Sequence, residues 1–446
     1  MSNPATPIIR NPPARYLHKP KRSLFPKIFG PETKEDFPAL TGLRAIAAYM
    51  VYLHHYTPSA ALVTAPVHSF LREFHAGVAV FYVLSGFLIT WNYWDRTSQQ
   101  TTGFWGTYIL KRVARIQPVY LLLLLIWCLA PFLHLTSQPR ASPGVILLNV
   151  TLLKGFFESY KFTGIMQAWS LTVEETFYLC APLIFFLIRK CGFAGTQALL
   201  WMTGLILLAI GTQIGATSGF FTPPMFVILY TFFGRSFEFM VGIACGRWML
   251  SHRKDIASVR GAKFTAIGIL GTVVVLAGMA MLQNGRAYGV HTPLGMALNN
   301  LFLPLFIGVM ITGLVVEKSV ISKLLSTPFS LLLGRSSYAF YLLHLGVLTT
   351  FMFPFLTGVS ELFLRLTGFI IINAASIILY VLYERPANRL VRRIGTNWLG
   401  IGVAARPGEE VMRMRRRATT ALGVLILLMA FWSLGLLPAP QLLMSR

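Results

Sequence analysis

Acidic residues are scarce in this chain: 15 Asp and Glu stand against 39 Lys and Arg among 446 residues. Charged residues of both signs make up only 12% of the sequence, while 55% is hydrophobic. So little polar surface cannot enclose that much apolar surface in one soluble core, so lipid has to be the solvent for much of the chain. Cysteine is also sparse. Cys128, Cys180, Cys191 and Cys245 fall in or beside apolar segments with neither a Cys-x-x-Cys pair nor a Cys/His spacing. That pattern gives no disulfide framework and no zinc site, and no metal is expected. The first 36 residues hold no apolar run followed by a small-residue cleavage site, so no secretory signal peptide is expected. No internal repeat and no inverted pair of broken helices is visible, which weighs against a secondary transporter.

The formal charge of +24 would suggest a nucleic-acid partner in a soluble protein. Here the basic residues cluster in short stretches between long apolar segments, the signature of inside loops, so the expected partner is the lipid bilayer and not nucleic acid. Apolar windows long enough to cross a hydrocarbon core of roughly 30 Å occur at 38–57, 75–94, 116–134, 168–188, 197–215, 225–250, 262–282, 294–316, 335–356, 362–384 and 419–437. With the N-terminus inside, the inside connections carry 27 Lys and Arg and the outside ones 6. This bias sets a cytoplasmic N-terminus and an outside C-terminus. The expected fold is an all-α polytopic transmembrane helical bundle, a ten-helix core plus one additional C-terminal transmembrane helix. Its parts are a basic cytoplasmic N-terminal arm (1–37, with Arg10, Arg15, Lys19, Lys21, Arg22, Lys27 and Lys34), a transmembrane domain (38–390), a basic cytoplasmic linker (391–418) and a last helix with a short outside tail (419–446). The outside connection 135–167 contains an apolar stretch, Gly144 to Phe157, too short to span, which is expected to lie in the outer interface or dip back into the protein.

Ionisable residues inside spans are costly and by default functional. They are Arg44, His54, His55, Glu174, Glu175, Arg235, Glu238 and His344. Arg44 and His55 are eleven residues apart, within about 20° of three whole helical turns, so they share a face with a rise of roughly 16 Å between them. A snorkelling arginine with interfacial histidines fits the same pattern. Arg112 and Arg115, with Lys111 beside them at the expected inside mouth of the third helix, are spaced to clamp a phosphate or diphosphate, or to serve as a plain positive-inside flank. Trp169-Ser-Leu-Thr-Val-Glu-Glu175 opens the fourth helix from outside and places Glu174 and Glu175 one to two turns below the surface. A glutamate there beside His55 would make an orienter and base pair that activates a hydroxyl, whereas an ion pair to Arg235 is the structural alternative. Tyr338 and Tyr341 can line one groove, His344 is either part of it or a packed core histidine, and Glu384 is expected to end the tenth helix at the inside face.

Taken in order, these segments resemble the integral-membrane acyltransferase family 3, which includes O-acetylases of O-antigen, exopolysaccharide and other surface glycans. The resemblance runs from about 38 to 390. It is carried by Gly42-Leu-Arg-Ala with His55 eleven residues after Arg44, Gly77-Val-Ala-Val-Phe-Tyr-Val-Leu-Ser-Gly-Phe-Leu-Ile-Thr90 with its Ser85, Arg112-x-x-Arg115, Trp169-Ser-Leu-Thr-Val-Glu174, Ser337-Tyr-Ala-Phe-Tyr-Leu-Leu-His344 and Tyr383-Glu-Arg-Pro386. It implies essential roles for Arg44, His55, Arg112 and Arg115 and a retained Glu174, with Glu175 at a variable position. Some members carry a further helix leading to an outside hydrolase-like domain. Here the eleventh helix is followed by nine residues, so the chemistry is expected in the membrane domain or in a separate protein. The implied activity is transfer of an acyl group, acetyl by the family's habit, from cytoplasmic acyl-CoA to a hydroxyl of a saccharide or glycolipid at the outer side of a bacterial inner membrane. Acyl-CoA is then a cosubstrate and no cofactor is tightly bound. Arg112, Arg115 and Lys111 would hold the donor phosphates, His55 would act as base or carry the acyl group transiently, Glu174 would orient it or balance charge, and Arg44 would steady the donor. The cationic vestibule and the imidazole are expected to belong to one continuous passage. A glycan or lipid transporter and a non-catalytic component of an envelope polysaccharide complex are the rival functions.

Overall fold

The computed structural model describes residues 37–59, 61–98, 102–133, 139–214, 218–255, 258–346 and 360–399. The expected arm, most of the linker and the eleventh window lie outside the described residues. The first helices are α1 (Pro38–His55), α2 (Ala65–Arg72), α3 (Gly77–Tyr93), α4 (Thr102–Leu129) and α5 (Pro143–Val150). They are followed by α6 (Trp169–Ile214), α7 (Pro224–Tyr230), α8 (Phe232–Ser251), α9 (Lys263–Met281) and α10 (Pro293–Ala297). The last are α11 (Leu303–Val316), α12 (Val320–Leu325), α13 (Pro328–Leu343), α14 (Glu361–Leu379) and α15 (Arg385–Leu399). No strand occurs among the described residues, so the fold is all-helical as expected.

Local chemistry sets where these helices begin. Thr292, Thr327, Ser142 and Ser360 each cap a helix by accepting a backbone N–H, and Pro143, Pro293 and Pro328 occupy the first helical position, where a missing N–H costs nothing. Glu317, at the end of α11, caps α9 from across the bundle: its carboxylate accepts Phe264 N–H at 2.7 Å, Thr265 N–H at 3.0 Å and Thr265 Oγ1 at 2.6 Å.

Seven helices are long and apolar enough to cross a membrane among the described residues. Large apolar side chains such as Leu205, Ile214, Leu270, Val274 and Ile370 are exposed on them, a cost only a lipid surroundings removes. The chain is a multi-pass membrane protein. Several expected boundaries shift. The windows 168–188 and 197–215 are not joined by a loop but form the 46-residue α6, broken at Gly192, where φ is +73° and a side chain would be strained. The window 225–250 is split at Thr231, between α7 and α8. The helix that carries the third window starts at Thr102, ahead of the window, so Arg112 and Arg115 lie within α4. Glu384 does not end the tenth helix, because a π turn at Tyr380–Glu384 carries the helical path on into α15.

The centre is built by α1, α3, α6, α8 and α13. At the α3–α8 crossing, a Cβ on Gly86 would lie 2.3 Å from the Phe239 carbonyl oxygen, and one on Gly242 would lie 2.1 Å from that of Val83. Only glycine permits that approach, and without a solvent-driven force between helices, close packing is what holds them together. Between Pro143 and Ala168 the chain forms α5 and two short 3-10 turns, tied down by Lys154, a fully buried amine donating to the carbonyls of Thr163 at 2.5 Å and Ile165 at 2.7 Å. The apolar stretch that was too short to span is this packed segment.

Candidate active site

Two chambers meet in the middle of the bundle. The first, of about 230 Å³, is bordered by Arg44 from α1, Ser85 from α3, Arg112 and Arg115 from α4, Glu174 and Tyr178 from α6, Tyr338 and Tyr341 from α13 and Arg392 from α15. Four guanidinium groups thus surround one carboxylate. Glu174 Oε1 accepts Ser85 Oγ at 2.6 Å and the Tyr178 hydroxyl, which fixes the carboxylate on the chamber wall. The Arg112 guanidinium hydrogen-bonds Tyr178 and packs over its ring at 5.4 Å and over Tyr93 at 6.0 Å. The buried Nε atoms of Arg44 and Arg112 have no hydrogen-bond partner among the described residues, so donor capacity is left over.

The second chamber, of about 330 Å³, is bordered by His54 and His55 from α1, by His75, and by Phe162, Gln167, Trp169, Tyr230, Arg235, Tyr288, His291 and Asn299. His55 is exposed to it, with its ring 4.6 Å from His54 and 5.3 Å from His344. His54 is fixed by a 2.5 Å contact between Nδ1 and the Arg72 carbonyl. His344 is fully buried, with Nδ1 against the Tyr341 carbonyl at 2.7 Å. Arg235 forms its ion pair with Glu238 at 2.7 Å, not with Glu174.

Val78 and Tyr341 border both chambers. Tyr341 is held in the partition by a 2.7 Å hydrogen bond between its hydroxyl and Ser170 Oγ, and by Gln167 Nε2 donating to its carbonyl at 2.9 Å. The single passage expected from the sequence is therefore two adjoining chambers with a side chain between them.

The family profile for an acyltransferase domain matches residues 37–385. The chain belongs to the acyltransferase family 3. Peptidoglycan O-acetyltransferase OatA of Listeria monocytogenes is 25% identical over 343 residues, covering 71% of this chain and 50% of the relative. A Staphylococcus aureus (strain COL) protein provisionally named an O-acetyltransferase is 24% identical over 337 residues, 70% of this chain and 50% of the relative. Acyltransferase MdmB of Streptomyces mycarofaciens is 31% identical over 169 residues, 34% of this chain and 40% of the relative. The chain spans about half the length of the first two, at 50% of each. No solved structure matches it.

In this member of the family, Arg44, Ser85, Arg112, Arg115, Glu174, Tyr338 and Tyr341 come together around the arginine chamber, and His55 and Trp169 around the histidine chamber. Glu174 is not beside His55. It lies five residues along α6 from Trp169, a rise of roughly 7.5 Å, and faces the arginines. Lys111 and Glu384 border neither chamber, and Glu175 borders neither although its Oε1 is buried without a hydrogen-bond partner among the described residues. Tyr178, Arg392, His75, Tyr288 and His291 were not singled out from the sequence. Arg392 was hidden in a basic run whose helical continuation is not visible from hydropathy. His75 is the first residue of the window 75–94, two residues before Gly77.

Proposed function

We propose that the chain is a membrane O-acyltransferase that moves an acetyl group from cytoplasmic acetyl-CoA to a hydroxyl of a saccharide or glycolipid at the outer side of the bacterial inner membrane. The observation that carries this is the adjacency of a chamber ringed by four arginines and a chamber ringed by imidazoles, with only Val78 and Tyr341 common to both. Guanidinium forks are the natural partners of phosphate and diphosphate. At about 230 Å³ the arginine chamber is smaller than the roughly 300–1,000 Å³ of pockets that swallow a drug-sized ligand, so it suits the thin acyl-pantetheine end, with the nucleotide at the mouth. Arg112 and Arg115 hold the donor phosphates, Arg44 steadies the donor deeper in, and Glu174 balances the guanidinium charge. The acceptor enters the histidine chamber, where His55 meets the hydroxyl and the aromatic rings of Trp169, Tyr230 and Tyr288 offer faces to a sugar ring. The excess of Lys and Arg in the expected inside connections supports a cytoplasmic position for the arginine chamber.

The test is purified protein in nanodiscs with labelled acetyl-CoA. Thiol release that requires His55 supports the reading, and movement of glycan or lipid without acyl consumption replaces it with transport. A component of an envelope complex without activity of its own shows neither.

A further inference from the structure

The histidine chamber contains an imidazole backed by a carboxylate, and it is not His55. Glu73 sits in the 3-10 turn Glu73–Ala76 between α2 and α3, with no exposed surface. Its Oε1 accepts Gln283 Nε2 at 2.6 Å and Gly289 N–H at 2.7 Å, while Oε2 lies 3.1 Å from His75 Nε2. The carboxylate is therefore fixed from three sides and oriented toward one imidazole nitrogen. The tautomer that donates Nε2–H to Glu73 leaves Nδ1 of His75 as an acceptor, on a ring that borders the chamber and remains 19% exposed. His55 borders the same chamber, but the rings packed on it are two more imidazoles, His54 and His344. A base that takes a proton away from bulk water has to hold a cation there, and a carboxylate behind the imidazole is what makes that tolerable. His75 has one and His55 has imidazoles in its place.

We propose that His75, oriented by Glu73, is the general base of the acceptor site, and that His55 faces it as a neutral imidazole whose N–H steadies the oxyanion. The inference rests on the acyl-transfer reading. His75 Nδ1 takes the hydroxyl proton as the acceptor oxygen bonds to the thioester carbonyl carbon. The tetrahedral adduct, its oxygen held by His55, then collapses. The C–S bond breaks, its electron pair leaves on sulfur, and His75 returns the proton to the thiolate, giving an ester and free CoA thiol. Glu73 is a positioning residue in this scheme. The titratable and charged groups facing His75 are Glu73, His54 at 5.4 Å and Tyr288 at 6.1 Å between ring centroids, His55, His291 and Arg235 around the chamber, and Arg72, whose guanidinium lies 5.0 Å above the Tyr288 ring.

The experiment uses inside-out membrane vesicles from the native host, which carry the chain with its own acceptor, supplied with labelled acetyl-CoA and an ionophore that equalises pH across the bilayer. Base-labile label in the glycan fraction is measured against pH. His75→Gln lowers transfer roughly 10²- to 10⁴-fold, the usual range for loss of a general base, and abolishes the acid limb of the profile. Glu73→Gln lowers it roughly 10- to 100-fold, as loss of an orienting partner does, and moves that limb. His55→Gln lowers the rate while the acid limb stays. CoA-dependent thermal stabilisation is retained in His75→Gln, which separates lost chemistry from lost folding. The inference is overturned if His75→Gln keeps its rate and acid limb while His55→Gln loses the rate, or if His75→Gln loses CoA stabilisation along with activity. Absence of base-labile label with the wild-type chain overturns the acyl-transfer reading itself.

Discussion

Replacing Arg112 by alanine tests the donor site, and the structure sets the size of the effect. The guanidinium is placed by Tyr178, through a hydrogen bond and a ring face, and by Tyr93, and its Nε has capacity to spare. A phosphate meeting that fork gains two charge-assisted hydrogen bonds, each worth roughly 1.5–3 kcal/mol. Arg44, Arg115 and Arg392 border the same chamber and keep most of the field when Arg112 is gone, so the loss falls at or below the lower end of that sum. About 2–3 kcal/mol is expected, a weakening of CoA binding of roughly 30- to 140-fold. Arg112→Lys retains the charge but loses the planar fork and its stacking on the tyrosines, and is expected to weaken binding about tenfold. The assay is equilibrium binding of CoA to the protein in nanodiscs at two salt concentrations, with both variants checked for unchanged unfolding temperature. An Arg112→Ala variant that binds CoA within about twofold of the wild type, well under the 1.4 kcal/mol of a tenfold change, refutes the placement of the donor.

Two further predictions concern the scaffold. Glu317→Ala removes three hydrogen bonds that cap α9 and is expected to cost about 2–4 kcal/mol of stability while leaving CoA affinity alone, so thermal unfolding in detergent falls and the binding curve does not move. Unchanged unfolding would show that the cap is not structural. Burial pushes the Lys154 amine down from 10.5 to about 7. Between those values the unfolded chain holds a proton that the folded chain lacks, so stability rises with pH from about 7 toward 10.5, and the whole penalty is present below that window. Unfolding temperatures at neutral and at alkaline pH should diverge more in the wild type than in Lys154→Met, and equal pH slopes contradict the assignment.

Much of this organisation is legible in the chain itself. Hydropathy marks the apolar segments because lipid leaves no alternative to helices, and the match of 38–57 to α1 and 262–282 to α9 follows from that constraint. The helical period likewise puts Arg44 and His55 on one side of α1, where they reach two different chambers. What period and hydropathy do not encode is which side chains meet across the bundle. The Glu174 position was judged from its distance to the helix start, which says nothing of its partners, and the carboxylate is claimed by Ser85 and Tyr178. Helix continuity is also hidden: the break between apolar windows at 189–196 reads as a loop, yet the chain needs only one glycine at positive φ, Gly192, to break and resume. The Glu73–His75 pair escaped because neither residue is unusual alone. It acquires meaning only when Gln283 and Gly289, more than two hundred residues away, fix the carboxylate.

The most direct test of the whole account is sidedness. Sealed vesicles of known orientation are given labelled acetyl-CoA on one face only, and the ester formed on glycan is measured with the thiol released. Label should enter glycan when acetyl-CoA is on the face next to Arg112 and Arg115, with thiol and ester in equal amounts and both lowered in His55→Gln. Label incorporation confined to acetyl-CoA on the opposite face, or equal thiol release from wild type and His55→Gln, would contradict it.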